Sequence, residues 1–437
     1  MEENAKTKRI SRRALLLEAA FAAALPLAGC AAGEPLAEEK GAVSDNPASE
    51  AGRPVRVRLV VGRNLEHEAA VQWEEPGESR LLLRKAGSAS APEAFPSPEQ
   101  PVVIEGETFR IHTVRLSGLE SGTRYEYRAG GEDAWRSFRT AGDARCRALI
   151  FADAQSSDGY RTWAETWRAG TGALPEADFA ACLGDLVDRG ADSSQWKDWF
   201  AACGAGLARL PLAPVMGNHE FYRGRKPRET VRPAFFLSAF ATPENGVRGL
   251  SRWFYDFDCG PARFFVLSTQ WKEAKEVGVD LCAEMAAWLE KEARACTRPW
   301  KVVLMHKDVI RYPKKGGERQ AGFSAAGRRL MPLFDRLGID LVLSAHLHTY
   351  RRRGVIRDFR RAGSGPLYIV SGVAGNIRHN RERFSPLDEY AAPLPETDNY
   401  LTLEADGRGL AVASFLPDGT RLDLVRIPKR PGQRPVN

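Results

Sequence analysis

Phe179-Ala180-Ala181-Cys182-Leu183-Gly184-Asp185-Leu186-Val187-Asp188-Arg189-Gly190 is an apolar run that stops at a glycine and ends in acids. Five apolar residues are too few for a helix and suit a strand covered on both faces. The same pattern recurs along the chain. Ala148–Ala152 leads into Asp153-Ala154-Gln155, and a third group reads Val215-Met216-Gly217-Asn218-His219-Glu220. Val302–Met305 ends in His306, and Leu341–Leu343 leads into Ser344-Ala345-His346-Leu347-His348. Between these runs the period changes to helical, over Gln195–Leu207 and over Ala283–Ala295, where Met285, Leu289 and Ala293 share a face. Phe254–Cys259 and Ala262–Ser268 flank Gly260-Pro261 and read as a hairpin. Strands alternating with helices predict an α/β domain over residues 145–425, followed by a tail at 426–437.

Upstream the period is two. Val55, Val57, Leu59 and Val61 alternate with polar residues, as do Val71 and Trp73, Leu81 and Leu83, and Val114 and Leu116. No helical pattern intervenes from residue 54 to 141, so an all-β sandwich of about seven strands is expected there. Its two histidines, His67 and His112, stand apart from one another and read as structural.

The whole chain has 437 residues, 63 Lys+Arg against 56 Asp+Glu, seven His and seven Cys. Hydrophobic residues at 43% and charged residues at 27% exclude a disordered or fibrous chain. A net charge of +7 is slight for this length, so nucleic acid is not expected as a partner. Seven Cys are too sparse for a disulfide scaffold. Cys182 lies inside an apolar run and reads as a buried, inert thiol, whereas Cys282 and Cys296 bracket one predicted helix, too far apart to pair.

The N-terminus reads as an address. Lys6, Lys8, Arg9, Arg12 and Arg13 precede an apolar stretch, Ala14–Ala28, that is too short to span a membrane. Leu27-Ala28-Gly29-Cys30 resembles the lipobox of bacterial lipoproteins, which implies a signal peptide at 1–29 and lipidation of Cys30. Ser11-Arg12-Arg13-Ala14-Leu15-Leu16 resembles a twin-arginine export motif. The Ala/Gly/Glu/Ser/Pro-rich stretch up to residue 53 is a tether composition. The expectation is an exported protein held at the bacterial cell envelope by a lipid in the membrane.

Five metal-binding groups at five strand ends are hard to obtain by accident, because loops on a rigid sheet are where α/β folds build sites. Their order (D-x-Q, GDxVDRG, GNHE, a lone His, HxH) resembles the calcineurin-like metallophosphoesterase superfamily, whose fold is a two-sheet β-sandwich core flanked by helices. Upstream, the stretch from Thr113 to Arg128, with Ser117-Gly118-Leu119-Glu120-Ser121-Gly122 at its centre, resembles the E–F corner of a fibronectin type III domain, where the loop precedes an alternating strand that carries a corner tyrosine. The two modules in this order are similar to purple acid phosphatases.

The resemblance implies two metal ions. Asp153, Gln155, Asp185 and His348 would hold one, and Asp185, Asn218, His306 and His346 the other, with Asp185 bridging. The donors are nitrogen and oxygen, which suits Fe, Mn or Zn. It further implies hydrolysis of a phosphate-ester substrate, mono- or diester, by a hydroxide bridging the ions. His219 would protonate the leaving oxygen. GDLVDRG resembles the GDxVDRG segment of protein Ser/Thr phosphatases, which implies that Asp188 would orient His219 and Arg189 would hold phosphate. Two departures stand out. Purple acid phosphatases carry a tyrosine ligand at the position of Asp188, so the coloured tyrosinate–iron centre is not expected. Gln155 stands where the usual residue is His, and its amide oxygen is a weaker ligand. The rival expectation is a surface-binding lipoprotein with a vestigial site. Three basic stretches, Arg223–Arg228, Lys314–Arg319 and Arg351–Arg361, follow site motifs and either rim the site or are solvated loops.

Overall fold

The computed structural model of the chain describes residues 54–312, 322–379 and 385–428. The expected leader, Cys30, the expected tether and most of the expected tail lie outside them, as does the basic stretch Lys314–Arg319.

Two large mixed sheets face each other. The ten-stranded sheet runs, from one edge, Arg421–Pro428, Gly409–Phe415, Tyr400–Asp406, Arg145–Phe151, Phe179–Cys182, Leu212–Pro214, Val55–Val61, Ala69–Glu74, Glu107–Leu116 and Gln100–Ile104. The central path of the second runs Tyr255–Cys259, Ala262–Leu267, Trp300–Lys307, Leu341–Ala345, Leu367–Val370 and Arg351–Arg357. Their inner faces meet in a dry core, with Ile150, Ala181 and Ala213 on one side and Phe264, Val302 and Leu343 on the other. The alternate residues of the same strands point outward to helices. Phe151 packs on Trp163 and Trp167 of helix Arg161–Ala173. Phe265 packs on Trp288 of helix Cys282–Ala295. Burial on both faces is why these strands read as unbroken apolar runs.

The sandwich expected at residues 54–141 is present. Its second sheet has four strands, Glu93–Ser97, Ser79–Lys85, Arg124–Ala129 and Arg136–Arg139, and closes over Leu59, Val71, Trp73, Leu83, Val114 and Tyr127. Tyr125 is a corner tyrosine, since its hydroxyl accepts from the Glu120 N–H at 2.9 Å. His112 is buried against Trp73, with ring nitrogens 2.9 Å from the Ser97 carbonyl and 3.1 Å from that of Glu75. That is a structural role.

Local periodicity does not reveal that the sandwich and the α/β core share a sheet. Val55–Val61 lies parallel to Leu212–Pro214, with Val60 opposite Leu212. Side chains reinforce the join. Buried Arg58 donates to the Ala239 carbonyl at 2.6 Å. Buried Gln72 donates to the Ser238 carbonyl at 3.0 Å and accepts from the Ala241 N–H at 2.7 Å. Tyr127 donates to the Ala208 carbonyl at 2.7 Å.

The basic stretch Arg351–Arg361 is largely structural. Arg351 lies 3.3 Å from Glu396, and Arg352 lies 2.8 Å from Asp423. Arg353 is fully buried, donates to Asp308 at 2.5 Å and to the Tyr312 hydroxyl at 2.9 Å, and also pairs with Asp388. Removing one partner of such a network strands buried charge. Arg353→Met should therefore cost about 3–5 kcal/mol, read as a lower midpoint in denaturant melts. A melt that matches wild type would mean that the pairs are idle.

Candidate active site

All five motif groups sit at the C-terminal ends of their strands, and those ends lie together. Arg145–Phe151, Phe179–Cys182 and Leu212–Pro214 are mutually parallel, as are Trp300–Lys307 and Leu341–Ala345. Parallel strands end on one side, so residues 153, 185, 218, 306 and 346 meet where the sheets open. Asp153, Asp185, His346 and His348 all have φ between 52 and 72°. The left-handed region costs a side-chain-bearing residue about 1–2 kcal/mol, and such strain gathers where a precise direction is needed.

Asp185, His306 and His346 offer donor atoms within 4.8 Å of one another, and so do Asp153, Asp185 and His348. Asp185 belongs to both groups, as a bridging ligand must. Around the first group the donors aim at one point. His306 Nε2 lies 3.1 Å from Asp185 Oδ2, 3.2 Å from Asn218 Oδ1 and 3.1 Å from His346 Nδ1. Its other ring nitrogen, 2.8 Å from the Leu183 carbonyl, must carry a hydrogen there because a carbonyl only accepts. His348 is oriented in the same way by the Ile377 carbonyl at its Nδ1, which leaves Nε2 to face Asp153 at 3.7 Å.

Lone pairs pointed at one another repel unless a positive charge lies between them. One proton serves a single pair, whereas a cation serves four. Donors held at about 2.1 Å around one ion stand roughly 3 Å apart, which is the spacing seen. Gln155 supplies independent support. Its Oε1 is buried and without a hydrogen-bond partner, as a ligand oxygen awaiting a cation would be. The residues therefore fit two cations.

The titration of the site reflects the same demand. Burial, offset in part by His306 and reinforced by Asp185, pushes Asp153 up to about 8. Burial works against Asp185 too, yet His306 and His219 outweigh it and hold that carboxyl well below the usual range. One carboxylate rising while its neighbour falls is what like charges in a dry volume produce. Burial and then His306 push His346 down. Burial and then His379, which stacks on it at 4.2 Å, bring His348 to about 3, and a neutral imidazole is the form that binds metal.

His219 lies beside these donors. Its backbone N–H donates to Asp185 Oδ1 at 2.8 Å, and its Nε2 is 3.9 Å from Asp185 Oδ2. Nδ1 lies 2.7 Å from the Asp188 carbonyl and 3.3 Å from Asp188 Oδ1. Burial opposes a charge on this ring, but Asp185 and Asp188 prevail and raise it to about 9.

The Arg189 guanidinium, 13% exposed, is 3.2 Å from Asp188 and also pairs with Asp192. It clamps Asp188 and keeps further N–H donors beyond these two pairs.

Sequence reasoning missed Glu220. Its buried carboxylate accepts from the N–H groups of Asp185 at 3.0 Å, Gly217 at 2.6 Å and Leu186 at 2.8 Å, lacing two ligand loops together. The loops approach closely because glycine permits it: a Cβ on Gly217 would sit 2.2 Å from Asp185 Oδ1, and one on Gly190 1.9 Å from the Glu220 carbonyl oxygen. The only signal was the fourth letter of GNHE. Cys182 is buried as expected, and burial pushes its thiol far up.

The chain is similar to known proteins in sequence and fold. Residues 146–350 match the family model described as calcineurin-like phosphoesterase, and residues 54–140 match that of the purple acid phosphatase N-terminal domain. Purple acid phosphatase 23 of Arabidopsis thaliana is 24% identical over 344 residues, which is 71% of each chain. Phosphoenolpyruvate phosphatase of Allium cepa is 23% identical over 408 residues, 86% of this chain and 81% of that protein. The fold matches purple acid phosphatase PPD1 from yellow lupin (Lupinus luteus) with a TM-score of 0.69 at 18% identity, over 87% of this chain and 75% of the other.

Proposed function

We propose that this chain, whose residues 146–350 match the calcineurin-like phosphoesterase model and residues 54–140 that of the purple acid phosphatase N-terminal domain, is a purple acid phosphatase-like metallophosphoesterase that hydrolyses phosphate esters at a two-metal site with His219 as general acid. The observation that carries this reading is the convergence of Asp185, Asn218, His306 and His346 on one point beside Asp153 and His348.

Asp153, Gln155, Asp185 and His348 would hold one cation and Asp185, Asn218, His306 and His346 the other. When bound, such a pair supplies Lewis acidity toward a phosphoryl oxygen and lowers the pKa of water. Burial of Asp153, Gln155, Asp185, Asn218, His306 and His348 keeps solvent away from them, which strengthens every charge interaction inside. His219 carries its proton on Nε2, beside Asp185, and delivers it to the departing oxygen. Asp188 fixes the ring by holding Nδ1 through both its carbonyl and its carboxylate. Arg189, itself paired with Asp192, holds Asp188 in turn. Asp188 and Arg189 are positioning residues in this scheme.

The test is turnover of phenyl phosphate and of a phenyl phosphodiester by protein loaded with Fe, Mn or Zn. Release of phenol at rates above the metal-stripped protein supports the proposal. No turnover of either ester with any metal would sink it.

Export with a lipid on Cys30 completes the proposal, supported by the basic start and the Leu27-Ala28-Gly29-Cys30 stretch alone. In a bacterium fed a labelled fatty acid, the chain should take up label and Cys30→Ala should not. Equal labelling of both would remove the anchor from the account.

A further inference from the structure

Of the two basic stretches within the described residues, Arg223–Arg228 is the one that reaches the site. Directly after GNHE the chain forms a small hairpin, Tyr222–Arg223 paired with Glu229–Thr230, whose turn is Gly224-Arg225-Lys226-Pro227-Arg228. Arg223 is spent on Glu229, at 2.9 Å through its Nε. Arg225, Lys226 and Arg228 are exposed. Among the described residues no acid pairs with Arg225 or Lys226, and the one carboxylate near Arg228 is Asp188.

The placement of Arg228 is specific. Its guanidinium lies over the Tyr222 ring, 4.9 Å from the centroid. Tyr222 is itself built into the site: its ring meets His219 edge-on at 5.2 Å, and its hydroxyl accepts from Asn218 Nδ2 at 3.4 Å. Asp188 Oδ1 stands 3.3 Å from His219 Nδ1 and 3.8 Å from Arg228 Nη2, so one carboxylate oxygen separates the guanidinium from the acid. Arg189, tied to Asp188 and Asp192, is 13% exposed, while Arg228 is 47% exposed and only loosely held by Asp188.

From this geometry we infer that the Tyr222–Thr230 hairpin is a subsite for an anionic leaving group, with Arg228 as its recognising residue. The inference rests on the phosphoesterase reading and on His219 as the acid. A leaving group departs past His219, so an exposed cation flanking that ring, across Asp188 and over Tyr222, is placed to read a leaving group that extends beyond the ester oxygen and not the phosphoryl group at the ligand cluster. A planar guanidinium braced on an aromatic ring suits a carboxylate or a second phosphate within a few bonds of the ester oxygen. Arg225 and Lys226 add positive potential at the hairpin tip, which draws such substrates in.

The experiment compares kcat/KM for phenyl phosphate and 3-carboxyphenyl phosphate, esters of similar leaving-group basicity that differ by one negative charge. The metal-loaded full chain is expected to prefer the carboxylate ester about fivefold at low salt, with the preference fading as salt screens it. In Arg228→Gln the ratio should fall toward one, mainly through KM, and Arg228→Lys should restore part of it. A wild-type ratio of one, or a preference that survives Arg228→Gln, overturns the subsite while leaving the phosphoesterase intact. Absence of turnover of both esters overturns the phosphoesterase reading and this inference together.

Discussion

Asp185→Asn should lower kcat/KM for phenyl phosphate by more than about 10³-fold, because it weakens both Lewis acids at once. Asp185 is the one side chain shared by both donor groups, and its Oδ2 lies 3.1 Å from His306 Nε2. Asparagine is the informative replacement. It tolerates the left-handed backbone at this position, φ 53°, where alanine would add strain. Its amide oxygen also still accepts the His219 N–H that Asp185 Oδ1 now holds at 2.8 Å. What changes is the charge. A neutral amide bridges two cations poorly, so metal content should fall along with activity. A variant that keeps wild-type kcat/KM would remove Asp185 from the site.

His219→Ala should lower kcat on an alkyl phosphate by about 10²–10⁴-fold, the usual worth of a positioned acid. Metal content should hold, since His219 is not among the converging donors. The loss should shrink on an ester with an acidic leaving group such as 4-nitrophenol, which departs without a proton. That contrast separates an acid from a residue that merely supports the loop. The loop has its own brace in Glu220, which bonds the N–H groups of Asp185, Leu186 and Gly217 and does not depend on the His219 ring. Equal losses on both esters, or wild-type kcat on the alkyl phosphate, would take the acid role away from His219.

The ligand loops were legible because their signal is local. An apolar run followed by Asp, Asn or His marks a strand end, and parallel strands bring such ends to one side whatever the connecting helices do. Asp153, Asp185, Asn218, His306, His346 and His348 needed no knowledge of the intervening segments. The shared sheet was not legible. Its join pairs Val60 with Leu212, far apart in sequence, and nothing in either strand's alternation marks the edge it will use. The fate of individual arginines was also hidden. Arg189, Arg228 and Arg353 look alike in sequence, yet one clamps Asp188, one lies exposed over Tyr222 and one is buried between Asp308 and Asp388. Long side chains take their roles from partners brought in by the fold. Glu220 was missed for the same reason: three backbone N–H groups on two loops become its partners only once those loops meet.

The most direct test is elemental analysis of the purified full chain after loading and exhaustive desalting, with Asp185→Asn alongside. The seven proposed ligands should retain about two transition-metal ions per wild-type chain, and clearly fewer in the variant. Wild-type protein that holds no ion, or that holds the same number as Asp185→Asn, would contradict the two-metal centre from which the rest of the chemistry follows.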